Sequence, residues 1–485
     1  MKKKNYMDWK EKAIRTLRDS LYPVPEELNE LDWKSGLSNK SERLAQHISA
    51  FSNYKGGGML VYGVNNDGTC FDLSKAEMDT IIEKLGNIAK NNLCYSITID
   101  HGVMEYEGHA LLFIYIPEQK EKPVYLRGGD VFDSYYRSAG QTVKMSRNQV
   151  KSLIAESQGI TFEEQPAKEH LTGEEVLELL DYKAFYERID RNLPSATDTI
   201  LNKMGDYGFC RKEGDYWCIT NLGALLYAND IRKFDNLKFR EIVIHKYVGT
   251  NNRQQEFEQH ITRGYAAAFE DVIDFVMQST GKEKIDVLRE TVPTYPRVAI
   301  REITANMLVH QDMGISGIPL SIEIFTNRIS FTNSGAPLNN INRLIDLPPN
   351  SRNEKLAQTM FLLHICEKRG SGIDRAVAAI EEMTLPAVKF TKGDEYTRVF
   401  LYPQKKLKDM TKQEKIDACY QHACLMFEED TPISNRSVRE RLELNDHQSA
   451  VASRIIADTL EAGFLKLANA DITSKKFATY IPYYG

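Results

Sequence analysis

One series of short motifs restricts the fold of this chain more than any other: Glu302-Ile-Thr-Ala-Asn306, then Asn333-Ser-Gly-Ala-Pro337, then Arg369-Gly-Ser-Gly372. On a helix, Glu302 and Asn306 stand one turn apart and face the same way. A carboxylate able to polarise water then sits beside a carboxamide able to ligate Mg²⁺. Ile300, Ile303 and Met307 form the apolar stripe of that helix, and Glu302, Asn306 and His310 form a polar stripe directly beside it. The pattern next predicts strands over 320–325 and 328–332, a turn at Gly335, and a second turn at Gly370 and Gly372 that opens a helix at Ile373. A helix start is an anion site, and glycine turns let backbone N–H groups approach a polyphosphate. Order and residue type together are the parts of an ATP site. The competing reading is a surface Glu–Asn pair followed by structural glycines.

At 485 residues the chain exceeds one hydrophobic core, and ordinary domain size predicts about three units. A net charge of −6 supplies no global positive field, so binding to nucleic acid or anionic lipid has to come from a local patch. The seven cysteines are scattered, without CxxC, which argues against both a zinc site and a disulfide framework and for free thiols in a reducing compartment. Lys2 to Lys4 are basic, but the polar residues 5–12 hold no apolar stretch of a signal peptide. Apolar runs such as 110–116 have strand length, far short of a membrane span. A cytoplasmic protein with no membrane partner is expected.

Periodicity divides the chain into an α/β (α+β) multidomain arrangement. Residues 1–157 alternate helices (8–19, 40–53, 75–91, and one from Ser146) with strands (31–34, 59–64, 110–116, 131–137). Residues 171–230 read as a small helical unit with a hairpin over 208–219, turning at Glu213-Gly-Asp215; Cys210 and Cys218 are expected to face each other across it. Residues 231–403 hold the ATP-like motifs between strands 239–248 and 397–402. Residues 411–485 predict helices over 411–428, 435–442 (capped by Asn435) and 447–462, then strands over 464–468 and 477–482: the order of a winged helix.

The motif series resembles the diverged GHKL ATPase fold shared by gyrase, MutL, histidine kinases and the heat-shock chaperone, in the RecG-related version fused behind a Schlafen AlbA domain in a bacterial transcriptional-regulator group. Ser351-Arg-Asn353 and Lys368-Arg369 also resemble this subgroup. The resemblance implies that Glu302 orients the attacking water, that Asn306 holds Mg²⁺ of bound ATP, and that Asn333 reads adenine. It implies that Gly335, Arg369, Gly370, Ser371 and Gly372 shape pocket and lid, with His310 beside the phosphates. The wider superfamily has Asp where this chain has Asn333. A carboxamide still accepts a hydrogen bond through its oxygen but brings no charge. Relatives of this fold often dimerise, so a homo-oligomer is compatible with the resemblance.

Glu27-Leu-Asn-Glu-Leu-Asp-Trp-Lys34, Ala50-Phe-Ser-Asn53, Gly56-Gly-Gly58, Gly63-Val-Asn-Asn-Asp-Gly68 and Tyr136-Arg-Ser-Ala-Gly140 together resemble the Schlafen AlbA domain. Some eukaryotic copies are ribonucleases that use three carboxylates, which by position are Glu27, Asp32 and Asp67. Three acids on a divalent metal activate water and stabilise a leaving oxygen; the alternative is that they cap turns at the surface. Lys34, Lys55, Arg127 and Arg137 are candidate phosphate contacts. In the C-terminal unit, His447, Gln448, Ser453 and Arg454 on the third helix and Lys475 and Lys476 in the wing are candidates for base edges and phosphates. The expectation is an ATP-binding, DNA-binding transcriptional regulator, DNA being favoured over RNA, whose nucleotide domain senses or slowly hydrolyses ATP. The alternative is a Schlafen-like metal-dependent endoribonuclease under ATP control.

Overall fold

The computed structural model describes residues 9–285, 289–366, 372–469 and 478–485, with the side chains of 282–292 left aside. It is a mixed α/β protein with several separate sheets. Two compact units result. One holds residues up to Ile160 and the other the residues from Thr161, except that Gly393–Glu395 and Tyr484 fall with the first.

The first unit opens with α1 (Trp9–Leu21), β1 (Leu31–Lys34), α2 (Ser41–Asn53), β2 (Gly58–Tyr62) and α3 (Lys75–Asn91). The α3 bounds follow from a capping box in which the Ser74 hydroxyl accepts from the Glu77 N–H and the Glu77 carboxylate accepts from the Ser74 N–H. Then come β3 (Asp100–Tyr106), β4 (His109–Ile116), β5 (Tyr135–Ser138), β6 (Gln141–Lys144) and α4 (Arg147–Ser157). The main sheet has the order β1-β2-β4-β3, with β1 and β2 parallel. The strand expected over 131–137 is shorter, because 125–134 turns back on itself through the Asp130 and Asp133 carboxylates, which accept backbone N–H groups. Leu44, Ile48 and Phe51 of α2 are buried against β2 and α3, as helical spacing predicts.

The second unit begins with β7 (Pro166–Leu171), α5 (Gly173–Leu179), α6 (Tyr182–Arg188), α7 (Thr197–Asp206), β8 (Cys210–Glu213), β9 (Tyr216–Thr220) and α8 (Asn221–Tyr227). The hairpin forms where expected, but β7 adds a third strand, giving the order β7-β9-β8. The register corrects the expected thiol pair. Cys210 stands opposite Ile219 and Cys218 opposite Arg211, so the two cysteines lie on opposite sheet faces.

Next follow β10 (Ile242–Tyr247), β11 (Gln255–Ile261), α9 (Tyr265–Thr280), β12 (Lys282–Ile285), β13 (Arg289–Val292), α10 (Arg297–Val309), β14 (Leu320–Phe325), β15 (Arg328–Ser334), α11 (Glu354–Leu362), α12 (Gly372–Glu382), β16 (Lys389–Lys392) and β17 (Tyr396–Leu401). Six of these strands form one sheet, β11-β10-β14-β15-β17-β16, in which only β10 and β14 run parallel. One apolar core runs from Leu171 to Leu401, so the helical segment over 171–230 shares its interior with this sheet.

The chain continues with α13 (Lys412–Glu428), α14 (Asn435–Arg441), α15 (Ser449–Glu461), β18 (Leu465–Leu467) and β19 (Tyr480–Pro482), the two strands pairing antiparallel. Ser434, not Asn435, caps α14. The third helix starts at Ser449, because Asn445 turns 446–448 into a 3-10 segment by accepting from the His447 N–H.

Candidate functional site

In the second unit, α10, β15, β17, α12 and the segment 337–352 enclose a cavity of about 600 Å³. Its walls include Glu302 and Asn306 from successive turns of α10, His310 at the C-terminal cap of that helix, Asn333 from β15, and Gly372 and Ile373 from the start of α12. Five residues singled out from the sequence therefore meet in one space.

Glu302 is 3% exposed, flanked by the buried Ile303 and facing the N-terminus of α12. The Arg375 guanidinium reaches its Oε1 at 3.2 Å. A Cβ placed on Gly372 would lie 2.8 Å from Glu302 Oε2, so glycine there lets α12 begin this close without displacing the carboxylate. The Asn306 carboxamide nitrogen is buried and has no hydrogen-bond partner among the described residues, the condition of a polar group that awaits a ligand. An amide N–H buried without an acceptor suits a phosphate oxygen, and the oxygen of the same carboxamide is the atom that would ligate the Mg²⁺ of a bound nucleotide. Burial, with the nearby Arg352 charge, pushes the His310 imidazole down to about 4, so it faces the cavity neutral near pH 7.

Asn333 is 4% exposed, and its Nδ2 donates to the Ser334 carbonyl oxygen at 2.9 Å. This leaves the side-chain oxygen as the acceptor for the cavity. Gly335 takes φ +93° and lies behind the wall: its carbonyl accepts from Thr397 Oγ1 at 2.7 Å, and a Cβ there would meet Asp312 Cβ at 2.8 Å. Arg369, Gly370 and Ser371 lie outside the described residues, as does most of the expected lid.

Sequence reading missed the cover of the cavity. Leu338, Leu344, Leu347 and Pro349 line it from one side, and Phe390 and Val399 line it from the sheet. Ser351-Arg-Asn353 ties that cover down. Asn353 Nδ2 donates to Val309 O (2.8 Å) and Gln311 O (2.7 Å) at the end of α10, while Arg352 Nη2 donates to Ala336 O at 2.7 Å. The spaced leucines between Pro337 and Pro348 were the available signal. Arg375 was missed as well, three residues beyond Gly372.

In the first unit the three carboxylates do not converge. Among the described residues the only set of three metal-ligating side chains within 4.8 Å of one another is Glu169, Glu213 and Cys218. Asp32 is fully buried: Lys34 Nζ contacts its Oδ1, and its Oδ2 takes Arg137 Nη1 at 3.1 Å and His47 Nδ1 at 3.3 Å. Burial opposes its ionisation, but Arg137, a hydrogen bond from Glu27, Lys34 and His47 together hold its carboxyl below the usual range. Glu27 receives Lys34 Nζ at 2.9 Å; burial and its hydrogen bond with Asp32 push its carboxyl up to about 7. Asp67 is exposed in a turn, where its Oδ1 accepts from Thr69 N (3.0 Å) and Thr69 Oγ1 (2.6 Å). The residues present do not fit a metal shared by all three: both oxygens of Asp32 already serve cations, and Asp67 stands apart.

The basic candidates are corrected in part. Arg137 is 3% exposed and spends its guanidinium on Asp32, Thr142 and the carbonyls of Leu28, Asn29 and Gly140, so it cannot reach a phosphate. Lys34 is committed to Glu27 and Asp32. Arg127 is exposed, with Nε on Leu93 O, and Lys55 is exposed. In the C-terminal segment Arg454 and Ser453 are exposed on α15, Ser453 accepting from Asn435 Nδ2 at 2.9 Å. His447 and Gln448 sit on the 3-10 turn, and Gln448 Oε1 accepts from Asn445 N at 3.1 Å. Lys475 and Lys476 lie outside the described residues. No helix among those described is long and apolar enough to cross a membrane.

Two family models match. Residues 27–146 match "Schlafen, AlbA_2", and residues 317–401 match HATPase_c_4, described as "Putative ATP-dependent DNA helicase recG C-terminal". The second match begins after α10. Among solved structures, the DIP2311 protein of Corynebacterium diphtheriae is 15% identical with a TM-score of 0.41, over 97% of this chain and 96% of that one. The N-terminal domain of a "Putative ATP-dependent DNA Helicase RecG-related Protein" from Nitrosomonas europaea is 22% identical with a TM-score of 0.22, over 27% of this chain and 92% of that one. No curated protein matches the chain. The chain therefore fuses a Schlafen AlbA_2 domain to a RecG-type HATPase_c_4 domain, which ties it to ATP binding and to nucleic-acid-related function.

Proposed function

We propose that this protein is a DNA-binding transcriptional regulator whose GHKL-like domain senses or slowly hydrolyses ATP. The observation that carries the reading is the convergence of Glu302, Asn306, His310, Asn333 and Gly372 on one cavity. Adenine lies toward Asn333, whose carboxamide oxygen accepts from the amino group, among the apolar Phe331, Phe390 and Val399. The phosphates lie toward Asn306, Glu302 and the start of α12, where the helix dipole favours anions. Asn306 would hold the Mg²⁺ of a bound nucleotide, and the ion would supply positive charge beside the phosphates. Glu302 orients a water for in-line attack and accepts its proton.

The AlbA_2 domain and the three helices with their two-stranded ribbon over 411–485, read as a winged helix, hold nucleic acid. Among the described candidates for that role, Lys55, Arg127 and Arg454 are the exposed cations. The caged Asp32 and the isolated Asp67 speak against the endoribonuclease reading.

The test is titration of purified protein with ATP in Mg²⁺ by calorimetry, alongside Asn306→Ala, and a gel shift of labelled duplex DNA and labelled tRNA with and without nucleotide. The wild type is expected to bind ATP, Asn306→Ala to lose the Mg²⁺-dependent part, and DNA to shift in a nucleotide-dependent way. Absence of ATP binding would remove the reading. Cleavage of tRNA that disappears in Asp32→Ala would replace it with the nuclease.

A further inference from the structure

Arg375 stands one turn into α12 with its side chain 44% exposed, and it reaches across to a carboxylate that is 4% exposed. Glu302 is the residue placed to act on water, yet its Oε1 is held at 3.2 Å by this guanidinium. Glu302 lines the cavity where Asn306 and Gly372 also line it, and Arg375 reaches this carboxylate from one turn further along α12. The two partners differ in freedom. Glu302 projects from the middle of α10 among buried Ile303, Ala305 and Met307, whereas Arg375 comes from the exposed side on a long, flexible stem.

We infer that Arg375 is a positioning residue that senses the terminal phosphate of a nucleoside triphosphate: it holds Glu302 in the empty site and transfers its guanidinium to that phosphate when the triphosphate enters. A terminal phosphate carries more charge than a carboxylate and offers three oxygens to the planar fork of arginine, so it competes well for the same donor. Glu302 Oε1 at that moment gives up the guanidinium and takes a hydrogen bond from water in its place. A diphosphate ends one phosphate short and leaves the Arg375–Glu302 pair intact. The residue thereby separates ATP from ADP and couples arrival of the third phosphate to release of the carboxylate. The inference rests on the nucleotide reading of the cavity.

The experiment is calorimetric titration of the full chain with ATP and with ADP in Mg²⁺ for wild type, Arg375→Ala and Arg375→Lys. Because Arg375→Ala removes a cation from the buried Glu302 carboxylate, the melting profile of each variant is recorded to show that it is folded at the titration temperature. Arg375→Ala is expected to weaken ATP by roughly tenfold, the lower end for a charged hydrogen bond after screening, and to leave ADP within about twofold. Arg375→Lys, which keeps the charge but not the fork, recovers part of the ATP preference. A general structural role would weaken both nucleotides alike. If wild type binds ATP and Arg375→Ala keeps the wild-type ATP-to-ADP ratio, this inference falls while the nucleotide reading stands. If wild type binds neither nucleotide, both fall.

Discussion

Glu27→Gln tests whether the Asp32 cluster is the internally neutralised core described above. Two groups around Asp32 titrate in opposite senses. Burial, reinforced by Arg137, Lys34 and Arg43 and opposed by Asp32, pushes the His47 imidazole from 6.5 to about 4. Burial and the bond with Asp32 push the Glu27 carboxyl from 4.5 to about 7. The His47 contribution is present above 6.5 and is lost as pH falls through about 4. The Glu27 contribution is complete below 4.5 and is lost as pH rises through about 7. Between 4.5 and 6.5 the folded state thus carries one proton more on Glu27 and one fewer on His47 than the unfolded chain, and the two slopes cancel.

In Glu27→Gln the introduced carboxamide keeps a donor toward Asp32 but does not titrate, so of this pair only the His47 slope remains; burial also raises the Glu30 carboxyl, but that contribution is common to both proteins and drops out of their difference. At about 1.4 kcal/mol per pH unit, stability of the first unit in Glu27→Gln falls, relative to the wild type, by about 2–3 kcal/mol from pH 6.5 to 4.5, on the order of 1 M in urea midpoint. Urea unfolding followed by tryptophan fluorescence reads this. Of the three tryptophans, Trp9 and Trp33 lie in the first unit, and a Trp217→Phe background makes the signal specific to it. A Glu27→Gln profile that runs parallel to the wild type over this range would refute the opposed-proton argument.

Arg137→Met leaves the buried Asp32 short of its main countercharge, and the first unit is expected to lose about 3–5 kcal/mol in the same urea assay. Glu302→Ala is expected to retain ATP binding by calorimetry and to lose phosphate release; unchanged turnover would take Glu302 out of its role. Gly372→Ala puts a methyl 2.8 Å from Glu302 Oε2, so the carboxylate has to move. A shift of that kind costs about a hundredfold in turnover with a small change in melting temperature, measured by phosphate release and thermal denaturation.

Much of the local structure was legible because its causes lie within a few residues. The Ser74–Glu77 box set the start of α3, Leu320–Phe325 formed as a buried strand, and the i, i+4 spacing of Glu302 and Asn306 brought them to one face. Local signals also misled. Asn435 looked like a cap but Ser434 takes that place, and the 3-10 turn at 446–448 shortened the helix expected to carry His447. Residue type and order, through the resemblance they carry, pointed to the two domain types and picked out residues that share one cavity.

The tertiary structure decided which of those parts are available to act. Asp32 is silenced by His47 from α2 and by Arg137, 105 residues away on β5, and nothing in the spacing of either foretells it. The cavity's cover over 337–352 and the grip of Arg375 on Glu302 depend on how α10 and α12 pack together. Periodicity and capping are written in neighbouring residues, whereas burial of a charge and its choice of partner depend on groups that meet only when distant segments pack.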